Sequence, residues 1–378
     1  MLHFTEDEFA GRVARTRAAM AERGLDALLL FAPESHYWLT GYDTFGFCFF
    51  QCMVISEREP VLLTRSADLR QAQLTSTVKD IRIWRDAEGA DPSTDLVALL
   101  TEMGLAGRRL GWETRTHGLT HQNGARVAAQ LPDLVDVSDL IGELRLVKSP
   151  AEIVYTRRAA ELADAAWDAA LATCKPGVDE GDILAAMHHA IFSGGGDYPA
   201  NEFIVGAGDH ALLCRYQASR RALEAQDQLN IEWAGTFRHY HSCLFKTILL
   251  GGPRPQHQSM QAAVEEALLA CEDRLRSGEP MGAVFDTHAA VLDSAGFGAH
   301  RLNACGYALG ARFAPGWMED QMFYAGAKTV METGMVFFLH MILMDSDTGT
   351  AMCLGRSSLV TEAGAEPLSR MPLAMAVV

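Results

Sequence analysis

One acidic side chain stands inside an apolar run of the sequence. Glu232 lies between Ile231 and Trp233, in a segment whose pattern predicts a buried strand. Burial disfavours the charged form of a carboxyl group, so its pKa rises and it can act as acid, base or nucleophile near neutral pH. Two other interpretations stay open: a salt bridge from Glu232 to Lys246 or Arg215, and the binding of a cationic amidinium substrate without chemistry.

Two histidines and a cysteine follow Glu232 at a spacing of two residues. His239, His241 and Cys243 would share one face of a strand, because side chains alternate across a strand. We expect His241 to lie near Glu232 on the partner strand and to move protons near pH 7, whereas His239 would sit in the hairpin turn. Cys243 fits a packing or substrate-contacting role; as a nucleophile it would need an electropositive setting from His241 and Arg215.

Composition limits what these groups can act on. The 378 residues carry 32 basic and 48 acidic side chains, a net charge of −16, which argues against nucleic acid and anionic membrane surfaces as partners. No apolar run approaches the roughly 20 residues that span a bilayer, and no signal-peptide core is present, so we expect a cytoplasmic protein. The eight cysteines form no Cys-x-x-Cys pair, and the glycine-rich segments 193–196 and 206–209 lack the spacing of a dinucleotide-binding loop.

The elements that must position these groups fall into two domains. Up to residue 145, strands predicted at 26–31, 52–55, 60–64 and 109–113 alternate with helices, which indicates an α/β domain. A capping box at Ser149, with Pro150 at the first helical position and Glu152 closing the box, begins the second domain, 146–378.

The second domain groups its helices and its strands. Two helices, up to about residue 174 and over 179–192, precede strands that we predict at 202–206, 211–216, 228–234 and 241–250. Helices at 257–276 and 284–295 and strands at 335–345 and 357–361 follow. This order indicates an α+β domain.

Five motifs in order resemble the creatinase/aminopeptidase P superfamily, whose catalytic domain has the pita-bread fold. In the second domain they are Leu-Val-Lys-Ser-Pro-Ala-Glu-Ile at 146–153, the hairpin 227–247, Gly-Tyr-Ala-Leu-Gly at 306–310, Gly-Met-Val-Phe-Phe-Leu-His at 334–340 and Ser-Leu-Val-Thr-Glu-Ala-Gly at 358–364. Tyr-Trp-Leu-Thr-Gly-Tyr at 37–42 is similar to the N-terminal domain of the same superfamily. The resemblance covers about residues 3–370 and implies a pita-bread catalytic domain behind a smaller creatinase-like α/β domain.

In the metallopeptidases of this superfamily, two Asp, one His and two Glu hold a pair of divalent ions. The resemblance places those ligands at Glu232, Cys243, Tyr307, His340 and Gly355, so one carboxylate of four remains. It therefore implies a site without metal or other cofactor. One alternative is a single Zn²⁺ held by Glu232, Cys243 and His340.

The resemblance also implies roles for individual residues. Tyr307 could hydrogen-bond a substrate carbonyl or orient Glu232, and His340 could handle protons, although a lone His in an apolar run is often a core residue. Arg215 takes the position of the catalytic His of creatinase and could clamp a substrate carboxylate or pair with an acidic residue. Phe47, Phe49 and Trp317 are expected to contact substrate.

We therefore predict a metal-independent hydrolase of a small amide, cyclic amidine or guanidino compound, similar to creatinase or ectoine hydrolase. The alternatives are an Xaa-Pro dipeptidase or aminopeptidase with altered ligands for a metal such as Mn²⁺ or Zn²⁺, and a non-catalytic binding protein. Relatives complete their site with a loop from a neighbouring subunit, here about residues 42–51. The resemblance thus predicts a homodimer.

Overall fold

In a computed structural model that describes all residues 1–378, the chain divides into two units, Met1–Arg145 and Leu146–Val378. No helix combines the length and apolar character needed to cross a bilayer. The first unit contains the helices α1 Glu6–Glu22, α2 Pro33–Thr40, α3 Leu69–Thr75, α4 Pro92–Glu102, α5 His121–Gln130 and α6 Leu140–Leu144. Its strands are β1 Ala27–Leu30, β2 Cys52–Ile55, β3 Val61–Arg65, β4 Asp80–Trp84, β5 Leu110–Trp112 and β6 Val135–Asp136.

The first unit is built on one six-stranded mixed sheet in the order β4-β3-β2-β1-β5-β6. Strand β1 is buried over its whole length, as its continuous apolar run Ala-Leu-Leu-Leu predicts. Apolar clusters lie on both faces of this sheet, one containing Leu28 and Leu30 and the other Ala27 and Leu29. The prediction of an α/β architecture for this part of the chain is confirmed.

The second unit contains four helices and nine strands. Its helices are α7 Pro150–Thr173, α8 Glu180–Ser193, α9 Pro255–Arg274 and α10 Met281–Ser294. Its strands are β7 Ile204–Ala207, β8 Gln228–Phe237, β9 Tyr240–Leu249, β10 Gly306–Leu309, β11 Met318–Met322, β12 Val336–Asp345, β13 Thr350–Thr361, β14 Gly364–Pro367 and β15 Ala376–Val377.

All nine strands form one sheet in the order β11-β10-β12-β13-β9-β8-β7, with β14 beside β13 and β15 beside β9. The predicted capping box of α7 is confirmed: Ser149 Oγ accepts the Glu152 N–H at 3.3 Å, and Glu152 Oε2 accepts the Ser149 N–H at 2.8 Å. The strand predicted at 211–216 is wrong. A short 3-10 helix, Gly208–Leu212, and irregular chain take its place.

Helices α7 and α9 cover one face of this sheet. The Trp233 indole N–H donates to the Ala163 carbonyl at 2.9 Å, and the Arg356 guanidinium binds the Glu272 carboxylate on α9. Gly235 permits the close approach of α7, because a Cβ there would lie 1.9 Å from the Ala159 carbonyl oxygen. The side chains that alternate with Trp233 and Arg356 therefore lie on the opposite face.

Candidate functional site

A row of paired residues crosses that opposite face. His340 on β12 pairs with Gly355 on β13, Gly355 pairs with Phe245 on β9, Phe245 pairs with Glu232 on β8, and Glu232 pairs with Ile204 on β7. Directly paired residues in antiparallel strands present their side chains on the same face. The row therefore presents Glu232 and His340 on the same face of the sheet.

Three further side chains share this face by parity. Cys243 lies two residues before Phe245 on β9, and Phe338 lies two residues before His340 on β12. Tyr307 on β10 pairs with Phe338, and the two rings meet edge to face with centroids 5.4 Å apart. The structure thus brings four of the predicted residues, Glu232, Tyr307, His340 and Cys243, to one face of the sheet.

Glu232 is buried, with 6% of its surface exposed. Loss of hydration raises the pKa of its carboxyl group to about 7, against the opposing effects of the Arg215 charge and of the Tyr307 hydroxyl, which lies 3.3 Å from Oε1. The predicted alternative of a salt bridge to Lys246 is wrong. That ammonium lies on the other face and donates to the carbonyls of residues 372–374.

Arg215 acts on this site through its charge rather than through an ion pair. Its guanidinium makes a 3.3 Å hydrogen bond to the Cys214 carbonyl, and its charge lowers the pKa values of both Glu232 and His340. The segment that carries it lies across the site face, since Asn230 Nδ2 donates to the Ala211 carbonyl at 2.6 Å. The side chain is exposed and can reach a ligand above the sheet.

His340 is buried beside Tyr307 and Phe338, at ring-centroid distances of 5.7 and 5.5 Å. Loss of hydration lowers its pKa to about 3, and the charges of His288 and Arg215 act in the same direction, so the ring is neutral at pH 7. Its buried Nδ1 has no hydrogen-bond partner in the protein. Such an atom costs free energy unless a ligand or water satisfies it. The Nδ1 atoms of His241 and His288 are also buried without a partner, so the position of His340 on the site face is what favours a site role.

His241 lies elsewhere than predicted. It pairs with Thr236, four residues or about 13 Å along the strand from Glu232. Its Nε2 accepts the Ala200 N–H at 3.0 Å, and loss of hydration lowers its pKa to about 3. With that lone pair occupied, His241 is poorly placed to exchange protons at Glu232. His239 lies in the hairpin turn, as expected, with a φ of 64°.

The thiols around Glu232 are protonated. Burial raises the pKa of Cys243 well above its usual value, and the Glu232 carboxylate adds to the effect. The same two causes act on Cys353 on β13, together with the thiol of Cys214. A nucleophilic thiolate needs the opposite environment, so this geometry supports a packing role for Cys243.

Trp317 belongs to the wall of the site rather than to its exposed surface. Only 1% of its surface is exposed, and its indole N–H donates to the Tyr307 hydroxyl at 2.8 Å. Phe47 and Phe49 lie in the first unit, in and directly after the short 3-10 helix Gly46–Cys48. Phe49 is 44% exposed and lies under the Arg65 guanidinium, 4.1 Å from its ring centroid.

The residues at the metal-ligand positions do not fit a two-metal centre. Gly355 has no side chain, and a Cβ added there would lie 2.7 Å from the Leu339 carbonyl oxygen and 3.0 Å from two atoms of the Phe338 ring, so neighbouring atoms occupy the position of the missing ligand. Glu232, Cys243 and His340 lie on one face of the sheet but do not form a three-ligand group around one ion. No group of three His, Cys, Asp or Glu side chains in the chain could hold a metal ion.

The aromatic part of this face was not predicted from the sequence. Phe338 and Phe245 read as ordinary core residues of apolar strands, but they share the parity of His340 and Cys243. Their shared position on alternate residues of the strands was the one sequence feature that could have indicated an aromatic lining of the site.

Comparisons with known proteins agree with this architecture. Residues 155–362 match metallopeptidase family M24, and residues 12–147 match the creatinase/prolidase N-terminal domain. The chain is 28% identical over 393 residues to ectoine hydrolase of Halomonas elongata, covering 98% of this chain and 97% of that one. It is 20% identical over 351 residues to an Xaa-Pro dipeptidase of Pyrococcus furiosus, with 93% and 95% covered. The crystal structure of dipeptidase PepE from Mycobacterium ulcerans superposes with a TM-score of 0.86 at 25% identity, covering 99% of both chains.

Proposed function

This chain belongs to metallopeptidase family M24, and we propose that it hydrolyses a C–N bond in a small nitrogenous compound without a metal ion. The observation that carries the proposal is the row of paired residues, in which one buried carboxylate remains and a phenylalanine ring covers the glycine at the last ligand position. A bridged pair of cations needs several anionic oxygens, and Glu232 alone does not supply them.

In this proposal, protein side chains carry out the hydrolysis. With a pKa of about 7, Glu232 is partly ionised at neutral pH and can take a proton from water or attack the electrophilic carbon itself. In either route one water molecule is consumed, the C–N bond breaks, and the nitrogen leaves with a proton. The neutral His340 ring offers its free Nδ1 to substrate or to the departing nitrogen.

Two groups suit substrate recognition. The Tyr307 hydroxyl lies beside Glu232 and can hydrogen-bond a substrate oxygen or nitrogen. The exposed Arg215 guanidinium can clamp a substrate carboxylate with two hydrogen bonds. Together with the aromatic wall, these groups suit an amide, cyclic amidine or guanidino compound that carries a carboxylate.

The similarity to ectoine hydrolase makes ectoine, a cyclic amidine, the first compound to test. The screen should include creatine, simple amides and Xaa-Pro dipeptides, each with chelated enzyme and with Mn²⁺, Co²⁺ or Zn²⁺ added. Turnover of an amidine, amide or guanidino compound by the chelated enzyme supports the proposal. Xaa-Pro cleavage that requires added metal would instead favour the dipeptidase alternative, which the similarity to Xaa-Pro dipeptidase motivates.

We also propose that the chain forms a homodimer through the aromatic loop at residues 42–51. Phe45 is 84% exposed and Phe49 is 44% exposed in this loop, an unusual amount of apolar surface for a free loop. Sedimentation of the wild type and of a Phe45→Ser, Phe49→Ser variant tests this proposal. A dimeric wild type that dissociates on substitution supports it, and a stable wild-type monomer contradicts it.

A further inference from the structure

The buried indole of Trp317 has a specific polar partner. Its Nε1–H lies 2.8 Å from the Tyr307 hydroxyl oxygen, which is the ordinary length of a good hydrogen bond. An indole N–H can donate but cannot accept. The Tyr307 oxygen is therefore the acceptor in this contact, and the direction of the hydrogen bond is fixed.

This first bond determines where the Tyr307 hydrogen points. With one lone pair of the hydroxyl occupied by Trp317, its hydrogen is free to reach Oε1 of Glu232, 3.3 Å away. The Cys243 thiol is the other acceptor beside Tyr307, and sulfur accepts weakly compared with a carboxylate. A one-way chain of two hydrogen bonds thus runs from Trp317 through Tyr307 to Glu232.

The surroundings hold Trp317 in place for this contact. Its ring packs against the rings of Phe203 and His241, each with a centroid distance of 6.4 Å, and it is 1% exposed. His241 does not reach Glu232 itself. It packs against Trp317, which is linked to Glu232 through Tyr307.

We propose that Trp317 is a positioning residue that directs the Tyr307 hydroxyl onto the Glu232 carboxylate. Trp317 was expected to contact substrate, whereas its hydrogen bond to Tyr307 places it one residue removed from the Glu232 carboxylate. The catalytic meaning of this arrangement rests on the proposed function of Glu232, but the hydrogen-bond chain itself does not.

The indole N–H resonances in a ¹⁵N–¹H NMR spectrum test the chain without any substrate. The Trp317→Phe variant identifies the Trp317 signal by its disappearance. Tyr307→Phe, which removes one oxygen and leaves the packing intact, should move that signal upfield because the indole loses its acceptor. Glu232→Gln should move it by a smaller amount, since the end of the chain is altered.

A matched internal control lies in the same unit. The Trp233 indole N–H donates to the Ala163 carbonyl at 2.9 Å and is also fully buried. Its resonance should stay in place in Tyr307→Phe; Glu232→Gln alters the residue next to Trp233, so the control applies to Tyr307→Phe alone. A Trp317 resonance that stays unmoved in Tyr307→Phe, or a Trp233 resonance that moves equally, would overturn the proposal.

Turnover supplies the second readout, on the compound that the substrate screen identifies. Trp317→Phe should lower kcat/KM about tenfold, the effect of one hydrogen bond of this kind. The same substitution in a Tyr307→Phe background should cause no further loss, because the chain is already broken. Equal losses in both backgrounds would contradict a positioning role. If the NMR result holds and no compound is turned over, the proposed function fails while the hydrogen-bond chain stands.

Discussion

Each unit of the chain contains a buried glutamate whose pKa is raised to about 7 by burial, Glu113 in the first unit and Glu232 in the second. In the first unit, Glu113 accepts hydrogen bonds from the Phe31 and Ala32 N–H groups at 2.9 Å and from the Ser35 hydroxyl at 2.5 Å. In the second unit, Glu232 has one protein donor, the Tyr307 hydroxyl at 3.3 Å.

The difference shows that a shifted pKa does not by itself mark a reactive group. The acceptor sites of Glu113 are taken up by the entry to helix α2, so this carboxylate holds the chain between β1 and α2 in place. Glu232 keeps unused acceptor capacity and lies on the same sheet face as His340, whose Nδ1 has no protein partner. Availability of lone pairs, and not the pKa, separates a structural carboxylate from a candidate catalytic one.

Turnover should separate the two glutamates most strongly. Glu232→Gln is expected to lower kcat by about a thousandfold, because the amide can neither take a proton nor attack carbon. Glu113→Gln is the matched control: its amide oxygen can still accept from Phe31 and Ala32, and its turnover should stay within about twofold of the wild type. Steady-state kinetics on the substrate found by screening checks both values, and equal losses would remove the distinction.

Substitution of each glutamate by alanine should reverse the order: the larger effect on the free energy of unfolding is expected at Glu113. Glu113→Ala leaves two backbone N–H groups without an acceptor and should destabilise the first unit by about 3 kcal/mol. Glu232→Ala removes a poorly satisfied buried carboxylate and should cost less than about 1 kcal/mol at pH 8. Urea unfolding of both variants at that pH makes the comparison, and a larger loss for Glu232→Ala would contradict it.

The pH dependence of stability should be shared by the two residues. A glutamate whose pKa rises from 4.5 to about 7 on folding contributes most to stability below pH 4.5, and this contribution is lost as the pH rises to about 7. Glu232→Gln and Glu113→Gln should therefore gain stability relative to the wild type between pH 4.5 and 8, each by at most about 3 kcal/mol. Unfolding curves across this range provide the check. A flat difference for Glu232→Gln would mean that its pKa is ordinary.

Two buried histidines also differ in how well the protein satisfies their ring nitrogens, and we expect smaller effects on the free energy of unfolding. His241→Phe removes the acceptor of the Ala200 N–H and should destabilise the second unit by about 1.5 kcal/mol. His340→Phe removes a ring nitrogen that has no protein partner and should leave the free energy of unfolding within about 0.5 kcal/mol of the wild type. Thermal or urea unfolding measures both effects, and the reverse order would show that we have assigned the wrong histidine to the site.

Sequence patterns predicted the architecture and the buried state of Glu232, because apolar periodicity and capping residues are local properties of the chain. The register of the β8–β9 hairpin could not be predicted in this way. Strands expected at 228–234 and 241–250 would pair Glu232 with Cys243, whereas the structure pairs it with Phe245. The two-residue turn is made by Arg238 and His239 at positive φ, which is unusual for side chains other than Gly or Asn and left no turn signal.

The environment of each site residue depended on contacts that are distant in sequence. Nothing local shows that Ala200 uses the lone pair of His241, or that Phe338 fills the volume above Gly355. Contacts between distant segments therefore decide which of these groups can act, and residue types alone do not show them.

Metal content measured together with turnover tests the central claim most directly. The wild-type enzyme should be stripped with a strong chelator, assayed by elemental analysis, and given the substrate that the screen identifies. Full turnover with far less than one metal ion per chain is the predicted result. Turnover that disappears on stripping and returns only with stoichiometric Mn²⁺, Co²⁺ or Zn²⁺ would contradict hydrolysis by side chains alone.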